Sequence, residues 1–148
     1  MTQEEKDLLL KDISGRLTYN LICQCCPIEQ RENKRNFIAR GIDVEKEAIL
    51  TVNGYYALDC CVPYLRPMKS MTTKEYESIK YEFSFYGASI LLTSELYTCG
   101  EATDWLNAHH FDYRGLIEKG LALEAPETMY THFGDMDVDV TVEKKNKI

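Results

Sequence analysis

The stretch "AILTVNGYYALDC", Ala48 to Cys60, decides the fold class. Asn53-Gly54 stands between two strand-like runs, and both residues tolerate the positive φ that a type I′ turn requires. A two-residue loop at that point sets Val52 opposite Tyr55, Leu50 opposite Ala57 and Ile49 opposite Leu58. A β-hairpin is therefore expected mid-chain, and the remaining segments are read outward from it.

Upstream, "RNFIARGI" (Arg35 to Ile42) reads as a weaker strand, and Pro27 to Lys34 as a polar loop. "LTYNLICQC" alternates as a half-buried strand does, with Leu17, Tyr19, Leu21, Cys23 and Cys25 on one face. Before it, Thr2 and Glu5 form the T-x-x-E pattern that satisfies orphan amides at a helix start. Leu9, Leu10, Ile13 and Leu17 then recur at helical spacing, and Gly15 offers a stop. The expected helix covers about residues 3–14.

Downstream, "CVPYLRPM" carries two prolines four residues apart, which bar a helix and favour extended chain. Thr72 and Glu75 repeat the capping pattern. Tyr76, Ile79, Phe83 and Tyr86 trace one face of a second helix, with Gly87 as its end. "ASILLTSELYT" fits a helix slightly better than a buried strand. Thr98 and Glu101 make a third capping box, and Ala102, Trp105, Leu106 and His109 share a face of the helix that follows. The order of elements predicts one α+β domain over residues 1–134, with an N-terminal helix, a small antiparallel sheet and C-terminal helices. The segment 135–148 alternates acids and valines; it reads as an edge strand or as chain without fixed structure until a partner pairs with it.

Composition narrows the function. A length of 148 residues and a net charge of −7, from 24 acids and 17 bases, describe one acidic domain. Duplex binding needs clustered Lys and Arg, and the basic knots "RENKR" and "KKNK" are short, so no nucleic-acid partner is expected. No apolar run reaches membrane-spanning length, and "MTQEEKDLLLKD" lacks the basic, apolar character of a signal peptide. The expectation is a cytoplasmic protein with no membrane partner.

The six cysteines, Cys23, Cys25, Cys26, Cys60, Cys61 and Cys99, then read as reduced, buried thiols. Their CxCC and CC spacing fits no paired zinc knuckle. A metal held by Cys23, Cys25 and His109, or redox chemistry, are the lesser alternatives. Asp135, Asp137 and Asp139 resemble the start of a calcium loop, but Val140 stands where that loop needs Gly and Asn146 where it needs Glu. No metal and no cofactor are expected.

The most motif-like segment is "HHFDYRGLIEKGLALEAPE", His109 to Glu127. A hydrolase reading casts His109 or His110 as base, Asp112 as its orienting acid and Cys99 as nucleophile. Cys99 and His109 stand roughly 15 Å apart along one helix at about 1.5 Å per residue, and no nucleophile elbow, P-loop or H-E-x-x-H motif occurs. The alternative is a backbone frame: Asp112 caps a short turn from Tyr113 to Lys119, Leu116 and Ile117 bury its inner side, Gly120 is its left-handed stop, and "LALEAP" runs extended over the core. The frame accounts for more residues, so no catalytic residue is assigned.

Ten tyrosines suit interfaces and stacking pockets. Tyr55, Tyr56, Tyr64, Arg66, Tyr113 and Arg114 are the candidate binding residues, with Arg35 and Arg40 as further cations. They fit two uses: contact with a protein partner, including a second copy, or closure around a small nucleotide-like anion.

"PYLRPMKSMT" (Pro63 to Thr72) and "DWLNAHHFDYRGLIEKGLALEAPE" (Asp104 to Glu127), with the N-terminal "EEKDLLLKDISGRLTYN", resemble a family of small proteins found in gut anaerobes, their mobile elements and their phages. The family brings no established activity. What the resemblance implies is a setting: an intracellular accessory protein of phage or mobile-element origin that acts by binding.

Overall fold

The computed structural model describes residues 1–82 and 100–130, and side chains within them except those of 79–82, 100 and 101. The chain forms α1 (Gln3–Ser14), β1 (Ile22–Cys25), β2 (Arg35–Ile38), β3 (Gly41–Asp43), β4 (Ala48–Thr51), β5 (Gly54–Ala57), β6 (Cys61–Leu65), α2 (Thr73–Glu82), α3 (Gly100–Ala108) and β7 (Leu123–Glu124). This is an α+β fold, as the sequence predicts. The readings on Phe83 to Cys99, including Tyr86, Gly87 and "ASILLTSELYT", lie outside the described residues, as does the tail from 131 on.

Helix α1 starts as expected: the Thr2 hydroxyl accepts the Glu5 amide, and the Glu5 carboxylate accepts the Thr2 amide. The next segment departs from the alternating strand. Leu17–Tyr19 is a 3₁₀ turn closed by Asn20 at φ 58°, a conformation that Asn tolerates. The strand itself begins only at Ile22. Leu21, Cys23 and Cys25 nonetheless share the core face with Leu9 and Ile13 of α1.

Two sheets result. One has the order β2-β1-β6-β7 and the other β3-β4-β5. The single expected strand "RNFIARGI" splits between them: the Ala39 amide bonds Leu21 in the first sheet, and the Arg40 amide bonds Leu50 in the second. Alternation along the ladder also explains how Pro63 sits in an interior strand. It faces Cys23, and the odd residues of β1 direct their backbone bonds toward β2, as the Leu21 carbonyl shows. Pro63 therefore occupies a non-hydrogen-bonded position in the β1–β6 ladder, where a missing N–H costs nothing.

The central hairpin forms, but its two-residue turn falls one position earlier than expected, at Val52-Asn53, so each cross-strand partner is displaced by two residues. Leu50 faces Tyr55, Ile49 faces Tyr56 and Thr51 faces Gly54. Only Gly54 takes positive φ, at 100°, so the turn is not type I′ at Asn53-Gly54. The side chain of Thr51 selects this register: its hydroxyl accepts the Asn53 amide and donates to the Gly54 carbonyl. This leaves Ile49 and Tyr56 facing the core and Tyr55 facing out. The shift makes a prediction. Gly54→Ala places a Cβ in open space and so costs only backbone strain, about 1–2 kcal/mol. Asn53→Ala loses one exposed hydrogen bond to Tyr56 and costs about 0.5 kcal/mol. Urea unfolding of both variants checks the ratio; equal large losses would restore the type I′ turn.

Candidate functional site

The His109–Glu127 segment is built from two copies of one backbone device. Helix α3 ends with the His110 amide on the Asn107 carbonyl and the Phe111 amide on the Leu106 carbonyl. That double bond pattern is a Schellman motif, and His110, at φ 62°, holds the left-handed position usually given to glycine. The pattern repeats ten residues on in the same form: the Gly120 amide bonds Ile117 and the Leu121 amide bonds Leu116, with Gly120 at φ 74°. Gly120 is therefore the stop that the sequence predicts.

Asp112 is a cap, though not of a turn beginning at Tyr113. Its two carboxylate oxygens accept the Leu116 and Ile117 amides at 2.8 and 3.0 Å. The capped turn starts later because Gly115 reverses the chain at φ 73°. Between the two stops, Phe111 lies in a parallel bridge with Arg66. The Arg66 amide bonds the His110 carbonyl, and the Asp112 amide bonds the Arg66 carbonyl. After Gly120 the chain runs extended as expected, and β7 pairs in parallel with β6.

A buried ion cluster fixes this crossing to α1, and sequence reasoning missed its key member. Arg16 is fully buried; it donates to both Asp12 oxygens at 2.9 and 3.0 Å and to the Phe111 carbonyl at 2.7 Å. Arg114 approaches the same Asp12 carboxylate at 3.6 Å. The Tyr113 ring lies under both guanidiniums, 5.3 Å from Arg16 and 4.8 Å from Arg114, and its hydroxyl donates to Asn107. The Asp12/Arg16 spacing of four was the available signal; nothing in the sequence marks the pair as buried.

The two histidines have separate surroundings. His109 stacks on Trp105, with ring centroids 3.9 Å apart. Its Nδ1 lies 2.9 Å from the Trp105 carbonyl, so that nitrogen carries the proton, since a carbonyl only accepts. His110 is fully buried and stacks on Tyr130 at 3.8 Å. Burial, then the nearby Arg16 charge, lower its pKa to about 3, against a weaker upward pull from a hydrogen bond to the Tyr19 backbone. His110 is thus neutral and sealed. Asp112, cast as the orienting acid of a hydrolase, already accepts two amides, and Cys99 lies outside the described residues.

Arg66 lines a cleft of about 760 Å³ with Glu75, His109, Glu124, Glu127 and Tyr130. Its guanidinium makes a two-pronged bond to Glu75, both contacts at 2.7 Å, and lies 4.1 Å over the Phe111 ring. The same Glu75 accepts the Thr72 amide in the capping box of α2. Partial burial pushes the Glu75 carboxyl up, but its bonds from Arg66 and Thr72 outweigh this and hold it at about 2. Arg66 is therefore neutralised, and Glu124 and Glu127 add two more carboxylates to the cleft.

The remaining candidates are not gathered at one place. Tyr64 receives a hydrogen bond from Gln24 and packs beside Ile22 and Tyr130. The Tyr130 hydroxyl accepts the Ile22 amide and donates to the Tyr64 carbonyl, joining β1 to β6. Tyr56 stacks on Phe37 with centroids 5.5 Å apart. Only Tyr55 of the six is exposed, at 54%. Among the described residues no group of three or more His, Cys, Asp or Glu side chains is arranged to hold a metal ion, and no helix is long and apolar enough to cross a membrane. No protein family, curated protein or solved structure matches this chain.

The state of His110 has a pH consequence. The unfolded imidazole takes up a proton near pH 6.5, whereas the folded one resists it down to about pH 3. Protons then favour unfolding, so stability is full above pH 6.5 and falls as pH drops from 6.5 toward 3, by up to about 1.4 kcal/mol per unit from this group. His110→Asn keeps a residue suited to positive φ and removes the titration. Denaturant unfolding at pH 7, 6, 5 and 4 should show a shallower decline for the variant; parallel declines would contradict a neutral, buried His110.

Proposed function

We propose that this is a non-enzymatic accessory protein that binds a protein partner, a second copy of itself included, through the β3–β5 sheet. One observation carries the reading. Three large exposed hydrophobic residues, Val44 at 70%, Val52 at 72% and Tyr55 at 54%, belong to this one small sheet and its turns. Large apolar side chains left exposed on one small sheet favour an interface.

The backbone supports the same use. Strand β5 is at the edge of its sheet, with no described strand on its outer side. The Leu50 carbonyl bonds Arg40 and the Leu58 amide bonds Glu47, which fixes the parity of the ladder: Ile49 and Tyr56 pair inward, while Tyr55 and Ala57 turn their amides and carbonyls outward. An extended segment can add to such an edge, gaining main-chain hydrogen bonds from the edge and side-chain contact from Tyr55 and Val52. The resemblance to accessory proteins of phages and mobile elements is consistent with a binding role in an intracellular setting. The arginine candidates speak less for an anionic ligand, because Arg66 is paired with Glu75 and Arg114 leans on Asp12.

The pair of substitutions Val52→Asp and Tyr55→Ser tests the reading. Both positions are exposed, so stability should change by no more than about 0.5 kcal/mol each. Sedimentation velocity and affinity capture from host extract should show a self-associated or partner-bound wild type and at least a tenfold loss in the double variant. A wild type that stays monomeric and retains no protein would end the proposal.

A further inference from the structure

Four cysteines fall in two doublets, Cys25-Cys26 and Cys60-Cys61, which the β1–β6 ladder sets face to face. The Cys26 amide bonds the Cys60 carbonyl at 3.1 Å, so that pair is the hydrogen-bonded one. Cys25 and Cys61 are register partners one step along and therefore occupy a non-hydrogen-bonded site. There, the two Cα atoms of an antiparallel ladder come closest, to about 4.5 Å, which is inside the span of a disulfide. Their thiols lie 3.5 Å apart on the same face of the sheet. Rotation of the two side chains covers the remaining distance to a sulfur–sulfur bond of about 2 Å.

We propose that Cys25 and Cys61 form a reversible dithiol–disulfide site, oxidised by exchange with a small-molecule disulfide. Both thiols lie on the core face and are each 1% exposed. Strand β1 ends at Cys25 and β6 begins at Cys61, so fraying of this end of the ladder is what admits the reagent. The nearby cleft of about 460 Å³, lined by Gln24, Cys26, Cys60 and Val62, opens on the opposite face. In the first step the deprotonated sulfur of Cys25 attacks one sulfur of the reagent; its S–S bond breaks and one thiolate leaves, to be protonated in solvent. In the second, deprotonated Cys61 attacks the Cys25 sulfur of the mixed disulfide and expels the second thiolate. Two protein thiols lose two electrons and two protons, and the reagent is reduced to two thiols.

The surroundings set the rate. The hydrogen bond to Cys25, and then burial, raise the Cys61 thiol well above its ordinary pKa, so it is protonated at neutral pH and slow to resolve the mixed disulfide. The exchange accelerates with pH, by up to about tenfold per unit while thiolate is the minor form. Once formed, the bond staples β1 to β6 and closes the stretch that contains β2 to β5, the proposed binding sheet included. Its existence does not depend on that binding role.

The test is incubation of the folded chain with glutathione disulfide at pH 7 and 8.5, followed by alkylation, thiol counting and non-reducing peptide mapping. The expected result is a fall from six free thiols to four, a Cys25–Cys61 cross-link without retained glutathione, and a melting temperature higher by about 5–15 °C. Dithiothreitol should reverse all three. Cys61→Ala should stop at a glutathione adduct on Cys25, whereas Cys60→Ala should still cross-link; circular dichroism confirms that each variant is folded, and the wild-type peptide map decides alone if either is not. Thiols that stay unmodified at pH 8.5 while the chain is native would overturn the proposal. A cross-link mapping to Cys26–Cys60, or one that appears only in urea, would also overturn it.

Discussion

The buried pair Asp12–Arg16 is the constraint on which the rest of the structure depends. Two charges taken out of water cost several kcal/mol each, and only close geometry with further hydrogen bonds repays this. Here Arg16 answers both Asp12 oxygens and the Phe111 carbonyl. That last bond spans 95 residues and ties the end of the first helix to the crossing between the two Schellman turns. Gly15 contributes by its size: a Cβ there would come within 3.1 Å of the side-chain Nδ2 of Asn107, so the Asn107 side chain of α3 packs directly against the end of α1.

The proposed binding role rests on what this anchor leaves at the surface. The residues with the look of a reaction centre are held in structural work. His110 turns the chain at positive φ, Asp112 caps a turn, Arg114 completes the ion cluster and Arg66 joins β6 to α2 through Glu75. The proposed contact surface is the three-stranded sheet, where Tyr55 and Val52 are exposed and β5 has no described strand on its outer side. The thiol ladder sits between these regions, in the strands that carry the sheet order, where a covalent link would alter stability without touching the outer face.

Much of the scaffold was legible in the sequence because its signals are local. Thr2 with Glu5 and Thr72 with Glu75 are short-range caps, and each forms as the pattern requires. Gly120 and the proline-bearing strand Cys61–Leu65 likewise follow from the backbone limits of Gly and Pro. The failures share a cause in tertiary contact. Thr51 moved the hairpin turn by one position, and so the pairing by two residues, through a side-chain bond that composition does not announce. "RNFIARGI" looks like one strand because alternation carries no mark of the switch between sheets at Ala39 and Arg40. Tyr113 reads as an interface residue, yet the guanidiniums of Arg16 and Arg114 hold it inside, where only 8% of it is exposed. A buried arginine is the hardest to foresee, since its composition and spacing match those of a surface ion pair.

The most direct test of the account is a double-mutant cycle on Asp12 and Arg16, read by urea unfolding at pH 7. Removing either partner alone leaves a buried charge uncompensated, so Asp12→Ala and Arg16→Ala should each cost about 3–5 kcal/mol. The double variant should cost at least about 1–3 kcal/mol less than the sum of the two. Additive losses below about 1 kcal/mol apiece would mean that the pair is solvated, and the anchor proposed for the C-terminal crossing would not exist.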